Sequence, residues 1–519
     1  MVTRWRLAAG FALPGMALTI GMPLPALAVS GLDCQHRING TEKRLLECIK
    51  PSALWHHLEN LQKIADENPG SKGHGNRDTG TQGYLGSANY VAGLMQQAGY
   101  RVHFQSYQWR HSKTAGAQRL TIDGHVYRES QDWFVASLSG SGVVAATVAV
   151  PHDGSRTLQS ETGCTSAAFQ GFRRGSVALL RRGACDFDTQ VANAERASAS
   201  AVILYNDHAA PGAGSLYRKH ADGKAFPAVL TQEARIPVIG TISYALGASL
   251  AAQSLSGHVP AVNIAIRTEI ESDTDYNVIA DSPFGDADHT VVIDAHLDSI
   301  YGAGILDNGS GSATILEIAR NLADTPTKNR LRYIWFGGEE LGLLGSRYYT
   351  RNLGGAELKK IAFDIDVDVT ATPNYAVLIA DPGHATKKDK FPPNVIPESQ
   401  IGNREFVRYF RTIGIPARIA GFGNDGTDSL AFSLVGVPNT GILTQQNCCK
   451  HDWEVRLWGG FTGDFEGKVP GRNGGCVDWP QRWCDNLSNN NRAVLGFVSK
   501  GVADVVFQIA NDNAVGRRS

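Results

Sequence analysis

The chain has 519 residues and carries 49 basic against 50 acidic side chains, a formal charge of -1. That balance excludes the basic surface of a nucleic-acid-binding protein, and no run of ~18 uninterrupted apolar residues marks a membrane span. At roughly 150 residues per domain the length predicts two or three domains, and 42% hydrophobic residues with 57 glycines fit a loop-rich globular chain.

At the start, Arg4 and Arg6 precede an apolar run from Leu7 to Leu24 that ends in Ala26-Leu27-Ala28. This is the pattern of a secretory signal with a small-residue cleavage site. Residues 1–28 are therefore expected to be removed and the mature chain to be secreted, periplasmic or extracellular, without membrane attachment. A membrane anchor is the alternative, opposed by Pro14, Pro23 and Pro25. Eight cysteines in an exported chain make disulfides the default. The local pairs expected are Cys34 with Cys48, Cys164 with Cys185 and Cys476 with Cys484. Cys448 and Cys449 are left unassigned, because a bond between neighbours closes a strained ring.

Helical spacing of Leu54, Leu58, Leu61 and Ile64 predicts a helix from Pro51 to Ala65, and Tyr84, Ala88, Val91, Leu94 and Met95 predict a second from Thr81 to Gly99. Arg101 to Tyr107 alternates like a strand. Near Asp132 the character changes to short β segments: Val143 to Val150, Gly175 to Leu180, Ala201 to Tyr205 and Ile236 to Ser243. The run Leu179-Leu180-Arg181-Arg182-Gly183-Ala184-Cys185-Asp186-Phe187, with Asn193-Ala194 and Ala201-Val202-Ile203-Leu204-Tyr205-Asn206, resembles the protease-associated domain. That resemblance implies an inserted lid or substrate filter without chemistry of its own.

After Asp275 strands and helices alternate: a buried strand Thr290 to Ala295, a helix Ser310 to Leu322, a strand Leu331 to Phe336, a helix through Leu344 and Tyr348, and a strand Ile361 to Val369. This order predicts an α/β fold, a doubly wound, mostly parallel sheet with a β-rich insertion. The expected division is 1–28 signal, 29–129 first catalytic part, 130–267 insertion and 268–519 metal-binding part. An amphipathic helix from Ala493 to Ile509 closes the chain.

The chemistry gathers at strand ends. His296 follows one buried strand, and Asp298 two residues later is placed to accept the imidazole's second N–H. A glycine-rich loop, Gly302 to Ser312, delivers Asp307. Glu339 and Glu340 follow a second strand after two glycines, and adjacent carboxylates can divide metal binding from proton transfer. Asp368 closes a third. Four carboxylates in one crevice repel, and a divalent metal is the simplest remedy. Mixed imidazole and carboxylate donors favour zinc, with manganese or cobalt possible.

His296-Leu297-Asp298-Ser299, Gly304-Ile305-Leu306-Asp307-Asn308-Gly309-Ser310-Gly311, Phe336-Gly337-Gly338-Glu339-Glu340-Leu341-Gly342 and Asp368 with Pro373-Asn374 resemble the four motifs of the co-catalytic zinc aminopeptidases, metallopeptidase family 28. The resemblance implies a zinc exopeptidase fold and a peptide or protein substrate with a free N-terminus. It also implies two zinc ions: Asp307 bridging, His296 and Asp368 completing one site, Glu340 at the second, and Glu339 as general base.

The sequence departs from that pattern at the fifth ligand. The ending Cys484-Asp485-Asn486-Leu487-Ser488-Asn489 survives, but Cys476 is followed by Val477-Asp478 where the family has Tyr-His. Three readings stay open: Asp478 ligates the second metal; His451 or His384 reaches in; or the second site is weak or empty. Two other functions follow from the last, a one-metal enzyme resembling glutaminyl cyclase and a degenerate peptide-binding relative. The segment Gly421 to Ser429 is expected to shape the pocket.

Overall fold

The structure, a computed structural model, describes residues 32–70, 74–152, 161–183, 185–207, 223–300, 302–385, 387–421, 426–446, 450–466 and 485–515. The expected signal, Asp478 and the cysteines Cys448, Cys449, Cys476 and Cys484 lie outside these residues.

Among the described residues, sixteen strands build two sheets of eight. Strand β1 (Arg101–Thr114) is followed by β2 (Arg119–Ile122), β3 (His125–Tyr127), β4 (Trp133–Val135), β5 (Gly142–Ala149), β6 (Val177–Arg181), β7 (Ala201–Tyr205), β8 (Val238–Ile242) and β9 (Ala261–Ile266). Then come β10 (Thr268–Asp281), β11 (Asp286–His296), β12 (Asn329–Phe336), β13 (Ile361–Val367), β14 (Leu378–Ala380), β15 (Arg418–Ala420) and β16 (Asn439–Leu443). The first sheet runs β1-β10-β12-β11-β13-β16-β14-β15 and the second β3-β2-β9-β5-β6-β7-β8-β4. Every strand of the second sheet lies between β1 and β10 in the chain, so that sheet is an insertion. It includes the hairpin β2–β3, ahead of residue 130, which joins through pairing of β2 with β9.

The insertion is carried on a ribbon. β1 and β10 pair antiparallel from Arg101↔Asp281 to Thr114↔Thr268, and only the inner end of β10 also pairs with β12. Beyond that point the ribbon runs out to the second sheet, its polar face tied by Lys113–Glu271 at 2.9 Å and His111–Asp273 at 2.8 Å.

In the first sheet the central strands β12, β11, β13 and β16 are parallel, flanked by antiparallel β10 and β14. Alternation decides which face each side chain covers. Val291, Ile293, Leu331, Tyr333 and Trp335 pack with the helices Pro51–Glu67, Gln82–Gln97, Ser310–Leu322 and Arg492–Asn511. Val292, Ile334 and Phe336 pack on the opposite side with Tyr349 and Phe432, from helices Leu344–Asn352 and Ser429–Leu434. The sheet is thus covered on both sides, which is why its central strands read as continuous apolar runs. Each fully buried leucine, such as Leu54 and Leu58 at 0% exposure, contributes about 1.5–3 kcal/mol relative to exposure. Two of the expected disulfides are formed, Cys34–Cys48 and Cys164–Cys185.

Candidate metal centre

Three neighbouring strands deliver the acids. β11, β12 and β13 are parallel, so their C-terminal ends open on one edge, the usual ligand edge of an open α/β sheet. β11 lies between the other two, with Ala295 opposite Trp335 and Asp294 opposite Asp366. His296 ends β11, Glu339 and Glu340 follow β12 after two glycines, and Asp368 follows β13. Asp307 arrives from the loop between β11 and helix Ser310–Leu322. The first turn of that helix presses on β13: a Cβ on Gly311 would stand 2.2 Å from the Val367 carbonyl and 2.3 Å from Asn308 Oδ1. Any side chain there would push the Asp307 loop off the sheet.

The imidazole is the centre of the arrangement. His296 Nε2 is 3.1 Å from Asp307 Oδ1, 3.4 Å from Asp368 Oδ1 and 3.9 Å from Glu339 Oε2. Its Nδ1 lies 3.1 Å from the Asp298 carbonyl oxygen and 3.5 Å from Asp298 Oδ1. A proton on Nδ1 donates to that carbonyl, which turns the Nε2 lone pair toward the carboxylates. His296 and Asp307 are almost wholly buried.

Electrostatics says what the crevice wants. Burial alone would lower the His296 pKa. Glu339 and the neighbouring carboxylates of Asp298, Asp307 and Asp368 outweigh it and push the imidazole well above its ordinary range. Asp368 Oδ1 is buried and accepts no hydrogen bond, a costly state for a carboxylate unless a cation compensates it. His296, Asp307 and Asp368 offer ligand atoms that all lie within 4.8 Å of one another. One imidazole nitrogen and two carboxylate oxygens are a zinc donor set, so the residues present fit that ion.

Comparison with known proteins agrees with this chemistry. Residues 277–458 match the model of peptidase family M28, and residues 143–250 match the PA domain. An aminopeptidase of Pseudomonas aeruginosa (strain UCBPP-PA14) is 31% identical over 499 residues, 94% of this chain and 85% of that protein. The chain belongs to peptidase family M28. A probable leucine aminopeptidase 2 of Aspergillus fumigatus is 30% identical over 88% of this M28 chain and 84% of its own. Among solved structures, an aminopeptidase from Aneurinibacillus sp. strain AM-1 has a TM-score of 0.66 at 20% identity, covering 92% of this chain and 97% of its own. BSAP, a zinc aminopeptidase from Bacillus subtilis, has a TM-score of 0.54 at 20% identity, covering 90% and 97%. At such identity these two speak for the fold alone.

Behind the candidate ligands of this M28 peptidase stand residues that sequence reasoning did not assign. Arg77, fully buried, donates to the carbonyls of Ala303 at 2.7 Å, Leu297 at 2.6 Å and Gly304 at 2.5 Å. Burial lowers its pKa to about 10, against the pull of Asp485, Asp298 and Asp78. Its guanidinium, still charged at neutral pH, is hydrogen-bonded to the backbone that leads from β11 to Asp307. Thr79 donates to Asp298 Oδ2 at 3.0 Å. Asp485 accepts from the N–H groups of Leu306 and Asp307. No local pattern marks Arg77 or Thr79, which lie some 220 residues from the loop they hold.

The other expected residues are placed as follows. The Glu340 N–H donates to Asp298 Oδ2 at 3.3 Å, and its carboxylate is not in the compact trio. His384 pairs with Asp381 at 2.8 Å, and His451 caps the helix Asp452–Trp458. Among the described residues neither joins the trio. Of Gly421 to Ser429, residues 422–425 lie outside the described chain. Asp428 is buried among Asp294, Asp364 and Asp366, and burial raises all four carboxyls, Asp366 to about 6. The insertion reaches the catalytic loop too: a Cβ on Gly342 would meet Thr231 Cγ2 at 2.6 Å.

Proposed function

We infer that this chain is a zinc-dependent aminopeptidase, hydrolysing the first peptide bond of a substrate with a free N-terminus. The observation that carries the reading is the convergence of His296, Asp307 and Asp368 at the ligand edge of the sheet, with Glu339 beside them. Relatives spanning most of the chain are named aminopeptidases.

His296, Asp307 and Asp368 would hold one ion. Asp307 would be shared with a second, held by Glu340 and, in place of the family's histidine, Asp478. When bound, zinc supplies Lewis acidity and brings the pKa of water toward neutrality. Glu339 stands outside the trio with its carboxylate 3.9 Å from the imidazole, close enough to the site to take the proton from the attacking water and return it to the leaving amine. Asp298 orients His296 through its carbonyl and the Glu339–Glu340 turn through its carboxylate.

Two disulfides support a destination outside the reducing cytosol, in line with the signal-like N-terminus. The test is metal analysis of the purified chain together with release of leucine from a leucyl amide before and after chelation. Activity and zinc should disappear together and return together on zinc addition. Undiminished turnover after complete stripping would end the reading.

A further inference from the structure

Asp298 holds the two halves of the site in register. It is fully buried directly behind His296, and its carbonyl takes the imidazole Nδ1 proton. Its carboxylate takes three donors: the Glu339 N–H on Oδ1 at 3.2 Å, the Glu340 N–H on Oδ2 at 3.3 Å and the Thr79 hydroxyl on Oδ2 at 3.0 Å. One residue, through its carbonyl and a carboxylate oxygen 3.5 Å from the imidazole Nδ1, thus ties the end of β11 to the turn after β12 that carries Glu339. Of the three donors the hydroxyl is the nearest, and it is the only one that is not backbone.

The hydroxyl is aimed before any ligand arrives. The Thr79 side chain is buried, and the backbone on either side of it is pinned. The Arg77 N–H donates to Ser299 Oγ at 3.0 Å, the Ser299 N–H returns to the Arg77 carbonyl at 3.2 Å, and the Gly80 N–H donates to Asp275 Oδ2 at 2.8 Å. Ser299 Oγ in turn donates to Asp78 Oδ1 at 2.9 Å. The segment Arg77 to Gly80 is therefore a fixed strip beneath the metal loop, and Thr79 is its contact with Asp298. Loss of the hydroxyl would leave a buried carboxylate with one donor fewer, and the relief open to it is rotation. That rotation withdraws Oδ1 from its place 3.5 Å from the imidazole Nδ1, and both oxygens from the Glu339 and Glu340 N–H groups.

We propose that Thr79 is a positioning residue of the metal centre, setting His296 and the Glu339–Glu340 turn at once through its single O–H bond to Asp298. The proposal rests on the zinc reading of the site. Partners of metal-binding groups typically contribute roughly 10- to 100-fold in metal affinity, and the effect here should be of that order.

The test uses the full chain as Thr79→Val, Thr79→Ala and Thr79→Ser variants, stripped of metal and titrated with zinc against a chromophoric chelator. Visible spectra of the cobalt-loaded forms and the thermal stability of the metal-free forms are recorded alongside. T79V and T79A should bind zinc roughly 10- to 100-fold more weakly than the parent and shift the cobalt bands, while T79S should restore affinity and spectrum. The alanine variant guards against a valine methyl that the carboxylate cannot accommodate. Parent-like zinc affinity in T79A would overturn the proposal. So would a T79S variant as weak as T79A, because the methyl's packing would then be the cause. A parent chain that takes up no zinc would instead overturn the reading of the site, and this inference with it.

Discussion

Asp485 accepts the backbone N–H of Asp307 at 3.0 Å, and that of Leu306 at 2.7 Å. The backbone of Asp307 is thus held by a carboxylate almost 180 residues downstream. Burial pushes the Asp485 carboxyl up to about 7, although those two hydrogen bonds and the charge of Arg77 draw it down and Asp307 draws it up. Asp485→Ala strands two buried N–H groups, each at a cost of ~1–3 kcal/mol. Both the unfolding free energy of the metal-free chain and its zinc affinity should fall, as measured by denaturant titration and competitive zinc binding. Unchanged zinc affinity would separate this clamp from the metal site.

Glu339→Gln keeps the shape of the side chain and removes its basicity. Because Glu339 is outside the compact trio, bound zinc should equal that of the parent while kcat falls by roughly 10²- to 10⁴-fold, the usual contribution of a positioned base. Elemental analysis and steady-state kinetics on one preparation decide it. A fully active variant would remove Glu339 from the reaction.

The parts legible in the sequence share one property: each is marked by its own residues. β12 ends in an unbroken apolar run and helix Ser310–Leu322 shows an apolar period, and His296, Asp307, Glu339 and Asp368 are chemically conspicuous at strand ends. The short strands β14, β15 and β16 have three to five residues each, too few for a period to show. The hairpin β2–β3 turns on Asp123-Gly124, with φ of 47° and 83°, an Asp-Gly signal that was there to be read. The outer half of β1 is polar because it pairs with the equally polar outer half of β10, so alternation alone stops the strand at Tyr107. Arg77 and Thr79 act on backbone carbonyls and on Asp298 across long sequence gaps, a function that leaves no local trace.

The replacement of the family's histidine by Asp478 is tested by counting ions. The parent should bind two zinc ions, and Asp478→Ala should keep the ion held by His296, Asp307 and Asp368 while losing the other. The stoichiometry after gel filtration would then fall from two to one. A variant that still holds two would free Asp478 of the role.

Gly342 is where the insertion meets the turn after Glu340. Its φ of 98° disfavours any side chain, and a Cβ would also meet the Thr231 methyl at 2.6 Å. Gly342→Ala should therefore destabilise the chain by about 1–2 kcal/mol from backbone strain and lower kcat by displacing the turn after Glu340. Thr231→Ser removes the clashing methyl and keeps the hydroxyl that donates to Asp188 Oδ2 at 2.6 Å. The double variant should regain the packing part of the loss and leave the strain. Additive effects of the two substitutions on Tm would show that they do not touch.

Asp275 offers a pH signature at a distance from the ligands. Burial raises its carboxyl from 3.8 to about 7, opposed by the N–H groups of Gly80 and Tyr276 and assisted by the charge of Asp298. An acid whose pKa is raised on folding is penalised once ionised, so this residue's contribution to stability falls as pH climbs from about 4 to about 7 and is level above that. Asparagine resembles the protonated form, since it too presents one acceptor where the carboxylate presents two. Whatever separates the amide from the neutral carboxyl is the same at every pH and shifts the whole curve without changing its slope. The unfolding free energy of Asp275→Asn relative to the parent should therefore improve across that window by on the order of 2–4 kcal/mol. It should then stay constant. Urea titrations of both chains at a series of pH values, in excess chelator so that metal binding adds no protons of its own, give the difference directly. A pH-independent difference would mean that Asp275 ionises in the fold as it does in the unfolded chain.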